Sequence, residues 1–256
     1  MRSTILVPFS LALAAAYVLS ACADDRSPPS DVSPPAETPA PDDGHELRPG
    51  DKSFRILVRD DGTSVEVRAE HDDRSPIGPD EVLVAKVGSA SITLGLTTNE
   101  IQAVGFFTSA ANAVEPVIVE LQRPNRPVSV FEVTLSPPFE APSISSSAIK
   151  IGSPVAVHVR KPTLSADAPP CDDASVADCT ALSVQTLYGD ECAAGQVAIL
   201  SLPSADPFPV DFIATPGETA PPCTDWLGLR ARRTVTYEDG IVFGDRFRGA
   251  LVDFTE

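Results

Sequence analysis

The sequence predicts an all-β protein from Ser53 onward, and three observations support this fold class. Apolar residues recur at every second position, as they do in half-buried strands. The strand-like runs are short and are separated by Pro, Gly and Asp, which favour turns. Apolar residues at helical spacing are scarce, and the one helical hint, Thr98–Ala103, is short. Such a pattern indicates β-sandwiches rather than an alternating α/β fold.

The first predicted element is a hairpin. Phe54, Ile56 and Val58 recur at every second position of its first strand, and the second strand, Ser64–Ala69, repeats the pattern with valines. Asp61-Gly62 lies between the two strands, and Asp-Gly supplies the positive φ values that a tight hairpin turn needs. We therefore expect the apolar side chains on one face of this hairpin and charged side chains on the other.

The rest of the chain continues as strands in two blocks. Ser136–Pro142 is rich in proline and separates them, so we predict one sandwich domain over residues 53–136 and a second over residues 137–256. The alternative is a single larger sandwich or barrel of about 200 residues. The further strands predicted are 81–87, 91–96, 104–108, 117–122, 128–135, 148–151, 154–160, 181–188, 197–202, 210–214, 227–236 and 241–254.

The second block resembles an immunoglobulin-like domain in its architecture. It departs from true immunoglobulin domains in one respect: Trp226 follows the last cysteine instead of lying between two core cysteines. The resemblance therefore implies a β-sandwich architecture and carries no function.

The amino terminus has the features of a secretory signal peptide. Arg2 precedes an apolar run, Ile5–Leu19, and Leu19-Ser20-Ala21-Cys22 ends it with small residues before a cysteine. This motif resembles the lipobox of bacterial lipoproteins. The resemblance implies cleavage after residue 21 and acylation of Cys22, which anchors the protein in a membrane. The alternative, a retained transmembrane helix, would be short for a bilayer and is interrupted by Pro8.

The residues after Cys22 predict a location and a tether. In the sorting rule known for lipoproteins of two-membrane bacteria, Asp directly after the cysteine retains the protein in the inner membrane; here Ala23 stands in that place, which favours the outer membrane. Residues 22–52 are rich in proline and acidic residues and have little to bury, so we expect a disordered, partly polyproline-II linker.

The charge balance excludes one class of partner. The chain has 19 basic and 36 acidic residues, a formal net charge of −17. A nucleic-acid partner requires a basic face, so we expect none. The one concentration of positive charge is Arg230, Arg232, Arg233, Arg246 and Arg248 around the Asp239-Gly240 turn. These arginines are a candidate site for an anionic glycan or an acidic protein surface; the alternative is pairing with neighbouring acids.

Four cysteines remain when Cys22 is assigned to the lipid: Cys171, Cys179, Cys192 and Cys223. An even number in an oxidising compartment predicts two disulfides. Sequence order favours Cys171 with Cys179 and Cys192 with Cys223, although three connectivities are open. The spacing lacks Cys-x-x-Cys, and no histidine lies nearby in sequence, so we expect no zinc and no other cofactor.

The sequence contains no recognisable catalytic motif. Gly88-Ser89-Ala90-Ser91-Ile92 lacks the closing glycine of a nucleophile elbow. His158 is expected on the solvated side of its strand, with Ala156 and Arg160. His71 lies in His-Asp-Asp-Arg, which we interpret as a polar surface loop rather than a metal site.

These features predict a non-enzymatic, membrane-anchored envelope lipoprotein that presents β-sandwich surfaces to a protein or a glycan. An alternative is an envelope hydrolase with dispersed carboxylates, such as Asp172 and Asp190, acting as acid and base. A third hypothesis is a purely structural lipoprotein.

Overall fold

The protein is all-β, as the sequence predicts. The structure, a computed structural model, describes residues 44–48, 50–108, 115–165, 171, 179–188, 191–219 and 221–256, and it has no helix in these ranges. Thr98–Ala103, the one helical hint, contains a turn closed by a 2.8 Å hydrogen bond from Glu100 N–H to the Thr97 carbonyl, and a strand begins at Gln102. No helix within these ranges is long and apolar enough to cross a membrane.

The described ranges contain eighteen strands. Most fall where the period-two pattern predicts them. In chain order they are β1 (Phe54–Asp60), β2 (Ser64–His71), β3 (Val82–Val87), β4 (Ala90–Thr93), β5 (Gly95–Leu96), β6 (Gln102–Thr108), β7 (Val117–Gln122), β8 (Ser129–Val133), β9 (Ser143–Ile144), β10 (Ala148–Lys150), β11 (Pro154–Val159), β12 (Thr180–Thr186), β13 (Ala193–Ala194), β14 (Gln196–Ile199), β15 (Phe208–Ile213), β16 (Thr215–Pro216), β17 (Cys223–Tyr237) and β18 (Gly240–Thr255).

One large sheet organises the molecule. Its strands follow the order β14-β12-β17-β18-β1-β2-β6-β5, and β10 also pairs with β18. β17 and β18 form an antiparallel hairpin of 15 and 16 residues. β1 pairs in parallel with the first half of β18, from Phe54 opposite Gly240 to Asp60 opposite Arg246. The large sheet therefore joins strands from the two ends of the described chain.

The buried apolar side chains form two clusters, each between the large sheet and a smaller one. The first lies against the sheet β4-β3-β7-β8 and contains Phe54, Val67 and Phe131. The second lies against the sheet β15-β11-β9 and contains Phe212 and Leu229. Each cluster has the layered arrangement of a β-sandwich, in which two sheets bury one face each.

The β17–β18 hairpin contributes to both clusters. In β17, Leu227 and Leu229 belong to the second cluster, and Val235 and Tyr237, on the same side of the strand, pack against the first. Residues Pro41–Glu256 also group as one compact unit by their contacts. Whether residues 53–136 and 137–256 fold as separate domains stays a prediction.

Two disulfides are present, and they follow sequence order. Cys171 is bonded to Cys179 and Cys192 to Cys223. The second bridge joins the start of β17 to the residue before β13, and all four cysteines lie in or beside the second block.

Residues 44–48 correct the predicted extent of the tether. They pack against the folded region instead of continuing the linker to residue 52. The His45 ring stacks on Tyr237 with centroids 4.7 Å apart and pairs with the buried carboxylate of Asp239. Arg123 Nη2 donates to the same carboxylate at 2.9 Å and to the Gly44 carbonyl at 2.8 Å. Residues 44–48 are polar and have no apolar periodicity, so their composition gives no sign that they would pack against the fold. They do so through specific hydrogen bonds.

Candidate functional site

The candidate site lies on the side of the large sheet that faces away from the first cluster, which we call the outer face. On β1, Phe54, Ile56 and Val58 are fully buried toward the cluster, so Arg55, Leu57 and Arg59 point the other way. Cross-strand pairing then continues the outer face onto β2 and β6 on one side and onto β18, β17, β12 and β14 on the other. In the sequence, only the alternation on β1 and β2 indicates this face.

A row of charged residues crosses the outer face. Arg232 on β17 is opposite Asp245 on β18, which is opposite Arg59 on β1, which is opposite Glu66 on β2. Glu66 in turn is opposite Phe106 on β6, whose side chain is 63 % exposed. Opposite charges at directly paired positions attract each other, so the row alternates in sign across four strands.

Both carboxylates of the row are occupied by one arginine each. Asp245 accepts hydrogen bonds from Arg232 Nε at 2.6 Å and Nη2 at 2.7 Å. Glu66 accepts from Arg68 Nε at 3.1 Å and Nη2 at 2.6 Å. The Arg232–Asp245 pair uses both carboxylate oxygens, the strongest hydrogen-bonded geometry that arginine forms with a carboxylate, whereas both Arg68 donors bind the single oxygen Oε1 of Glu66.

Arg59 and Arg230 are left without such a partner. The closest carboxylate oxygen to Arg59 Nη1 belongs to Glu66, at 3.9 Å, and the closest to Arg230 Nη1 belongs to Asp245, also at 3.9 Å. Neither side chain forms a hydrogen bond with any residue that the structure describes, and Arg230 Nε is buried. The outer face therefore contains two guanidinium groups with unused donors.

The pKa values of Arg230 and Arg232 shift in opposite directions, because only Arg232 is hydrogen-bonded to Asp245. Burial lowers the pKa of Arg230 to about 10; Asp245 opposes this effect, and the positive charges of Arg232 and Arg59 add to it. Burial also acts to lower the pKa of Arg232, but its hydrogen bonds and charge interaction with Asp245 outweigh burial and raise it. The charged form of Arg230 is thus poorly compensated inside the protein, and an anion placed beside it would stabilise that form.

Arg59 and Arg230 line one open groove of about 620 Å³. Most of its lining is polar and includes Gln185 and Gln196; Tyr188, whose side chain is 53 % exposed, supplies an aromatic ring. A second hollow of about 260 Å³ shares the Arg68 side chain with the groove, so the depression continues along the outer face toward Arg55 and Phe243. The combined surface is long and shallow.

An exposed apolar pair lies farther along the same face. Trp226 on β17 is directly opposite Leu251 on β18, and both are exposed. Two residues along from this pair, toward Arg230, Gly228 is opposite Gly249. The backbones are so close that a Cβ on Gly228 would lie 2.3 Å from the Arg248 carbonyl oxygen. The glycine pair leaves a flat floor between Trp226 and Arg230.

The arginine cluster predicted from sequence is divided between the two faces of the hairpin. Arg230 and Arg232 lie on the outer face, whereas Arg233, Arg246 and Arg248 lie on the opposite face. Arg233 Nη1 donates to the Thr134 carbonyl at 3.3 Å. The remaining two form ion pairs with Asp60 that are described next. The five arginines therefore do not form one patch, and Arg59 and Arg68 join the outer-face pair instead.

The buried ion pairs of Asp60 are structural. Arg246 Nε lies 3.2 Å from Asp60 Oδ2, and the two side chains are 1 % and 2 % exposed. Arg248 Nη2 lies 3.1 Å from the same oxygen. Charges taken out of water require such partners, and these connect the first hairpin to the last one.

The histidine predictions have different outcomes. His158 lies on β11 on the side opposite the buried valines, as predicted. The interpretation of His71 as part of a surface loop is wrong: it is the last residue of β2, is buried beside the Phe54 ring, and its Nε2 lies 3.3 Å from Glu81. Burial acts to raise the pKa of Glu81, but hydrogen bonds from His71 and the Gly78 N–H outweigh it and lower the pKa.

The structure does not test every predicted residue. Cys22 lies outside the described ranges, as do Asp172 and Asp190, the carboxylates of the hydrolase hypothesis. Within those ranges no group of three or more His, Cys, Asp or Glu side chains could hold a metal ion.

Comparison with known proteins adds no family. No protein-family model matches the chain, and no curated protein is significantly similar to it. The proposal that follows therefore depends on the chain's own residues.

Proposed function

We propose that this protein is a lipid-anchored lipoprotein of the bacterial envelope that works by binding rather than by catalysis. The lipobox Leu19–Cys22 supports the anchor, and the proline-rich residues that follow support a tether between the lipid and the folded region. Ala23 directly after the cysteine favours the outer membrane.

The binding partner that the outer face fits best is an envelope glycan. The observation that carries this part of the proposal is the long, shallow groove with a mostly polar lining, continued by the second hollow. Glutamate is depleted from protein–protein interfaces, whereas two glutamates, Glu66 and Glu191, line this groove. A polar polymer can follow such a groove and exchange hydrogen bonds with its polar side chains, such as the exposed amide of Gln196.

Metabolic labelling with an alkynyl fatty acid tests the anchor. We expect the full chain to incorporate the label and to fractionate with the outer membrane, and the Cys22→Ala chain to incorporate none. A mature protein that begins at another residue, or that carries no fatty acid, would contradict the anchor and leave glycan binding to be judged separately.

Co-sedimentation with wall polysaccharide that has been freed of lipid and protein tests the binding role. Gln196 is exposed in the groove, so Gln196→Trp would obstruct it, and Val130→Trp on β8 places the same side chain on an exposed position of another sheet. We expect the wild type and Val130→Trp to sediment with the polysaccharide and Gln196→Trp to stay in solution. Equal sedimentation of both variants would remove the groove from the proposal, and no sedimentation of the wild type would favour a purely structural role.

A further inference from the structure

The outer-face groove carries an arrangement of charges that points to a particular class of glycan. Three arginines, Arg59, Arg68 and Arg230, line the groove together with two glutamates, Glu66 and Glu191. The groove therefore has an excess of one positive charge, although the whole chain has a net charge of −17. This local sign is opposite to that of the molecule.

The excess charge is concentrated on two guanidinium groups. Arg68 is engaged by Glu66 through hydrogen bonds of 3.1 and 2.6 Å, so its charge is compensated. Arg59 and Arg230 each approach a carboxylate oxygen only to 3.9 Å, and that carboxylate already accepts two hydrogen bonds from another arginine. Arg230 is the more constrained of the two, because its side chain is only 18 % exposed and its Nε is buried without a hydrogen-bond acceptor among the described residues.

We propose that Arg59 and Arg230 together bind the carboxylate of a uronic acid residue in an acidic polysaccharide. A planar carboxylate with two oxygens matches the donors of guanidinium groups, and both arginines line the same groove. This inference rests on the proposed glycan-binding function and names the sugar class that the same site takes.

The rest of the groove favours a carboxylated sugar over a more highly charged group. Glu66 and Glu191 would repel a phosphate dianion more strongly than a carboxylate, and the single excess positive charge of the groove balances one carboxylate. Gln185 and Gln196 have amide donors and acceptors for hydroxyl groups, and the exposed Tyr188 ring has an apolar face against which a sugar ring can lie.

Isothermal titration of the full chain, purified in mild detergent, with trigalacturonate tests this inference. We expect the acid to bind and its methyl ester, which keeps the sugar rings but loses the charge, to bind at least about tenfold more weakly. Arg59→Gln and Arg230→Gln should each weaken binding of the acid by about tenfold, and Arg230→Lys should recover only part of the loss, because lysine keeps the charge without the planar donor pair.

Arg160→Gln is the matched control. Arg160 follows β11 and lies outside both the groove and the second hollow, with its own carboxylate partner, Glu140, at 3.3 Å. We expect this variant to bind trigalacturonate as the wild type does. Unchanged urea-unfolding midpoints for all the arginine variants would exclude loss of the fold as the cause.

Four outcomes would overturn the inference. These are equal binding of acid and ester, equal weakening by Arg160→Gln and Arg59→Gln, displacement of trigalacturonate by inorganic phosphate at equal concentration, and tighter binding of triglutamate, which would indicate a protein partner. If trigalacturonate does not bind but the wild type still sediments with wall polysaccharide, the assignment of a uronic acid is wrong and the glycan-binding function stands. If the protein binds neither, the glycan-binding function itself is wrong.

Discussion

Replacement of Asp60 by asparagine should severely destabilise the protein, because two arginines depend on its charge. Asp60 lies at the end of β1, where its Oδ2 is 3.2 Å from Arg246 Nε and 3.1 Å from Arg248 Nη2. Asparagine keeps the side-chain shape and the Oδ1 that accepts the Gly62 N–H at 2.8 Å, so the first turn should survive. The variant removes the negative charge and places an amide donor where Oδ2 now faces the two arginines.

The expected loss follows from the burial of the pair. Asp60 and Arg246 are 2 % and 1 % exposed, so water cannot replace the lost charge. Removing one partner of a buried ion pair costs about 3–5 kcal/mol, and we expect a loss in this range, because the amide group that replaces Oδ2 cannot accept a hydrogen bond from either arginine. For a protein of ordinary stability, about 5–15 kcal/mol, this is a large fraction of the total.

Urea unfolding followed by the fluorescence of Trp226, the single tryptophan, measures this loss directly. Asp253→Asn is the control, since Asp253 is exposed and accepts one hydrogen bond from the Thr224 hydroxyl at 2.8 Å; it should change the free energy of unfolding by less than about 0.5 kcal/mol. An Asp60→Asn variant within about 1 kcal/mol of the wild type would refute the structural role assigned to the buried pair.

Three further predictions concern stability. Replacing Cys192 and Cys223 by alanine should lower the free energy of unfolding by about 3.7 kcal/mol, and replacing Cys171 and Cys179 by about 2.5 kcal/mol. The first pair matters more because its disulfide closes a loop of 31 residues and the other a loop of 8. The reverse order in urea unfolding would contradict this. Burial raises the pKa of Asp225 despite hydrogen bonds from the Trp226 and Tyr188 N–H groups. The folded state therefore holds the proton of Asp225 more tightly than the unfolded chain does. The stability that this proton gives at low pH is lost as pH rises through the folded pKa. Asp225→Asn should remove that loss, and its free energy of unfolding relative to the wild type should increase as pH rises; a difference that does not vary with pH would refute it. Gly228→Ala should lower the free energy of unfolding by about 3 kcal/mol, because its Cβ would lie 2.3 Å from a backbone oxygen. Gly95→Ala, whose Cβ would lie 3.8 Å from its nearest neighbour, should change this free energy little. Equal effects of the two variants in urea unfolding would contradict the close approach at Gly228.

The strands were predictable because each has one buried face. Val65 and Val67 are buried at alternate positions of β2, and Asp61-Gly62 forms the turn before them. Local spacing carries this information, since a strand that buries one face repeats every two residues. Sequence order favoured the disulfide pairing that is present but left three connectivities open.

The outer face could not be predicted, because it depends on pairing between the two ends of the described chain. β1 lies beside β18 in parallel, and nothing within either segment indicates that Arg59 meets Asp245. One error was avoidable: Arg232 and Arg233 are adjacent in a strand, so the period of two already assigns them to opposite faces. His71 was misread because the acidic residues after it indicate a loop, although the strand extends to His71 itself.

Arginine-selective modification with phenylglyoxal, read by mass spectrometry, tests the central claim that the outer-face groove is the binding surface. The full chain would be modified with and without trigalacturonate. Arg160, which follows β11 and is 66 % exposed, would report any general effect of the ligand. We expect the ligand to slow modification of Arg59 and Arg230 and to leave the rate at Arg160 unchanged. Equal rates at Arg59 and Arg230 with and without a saturating ligand would contradict it.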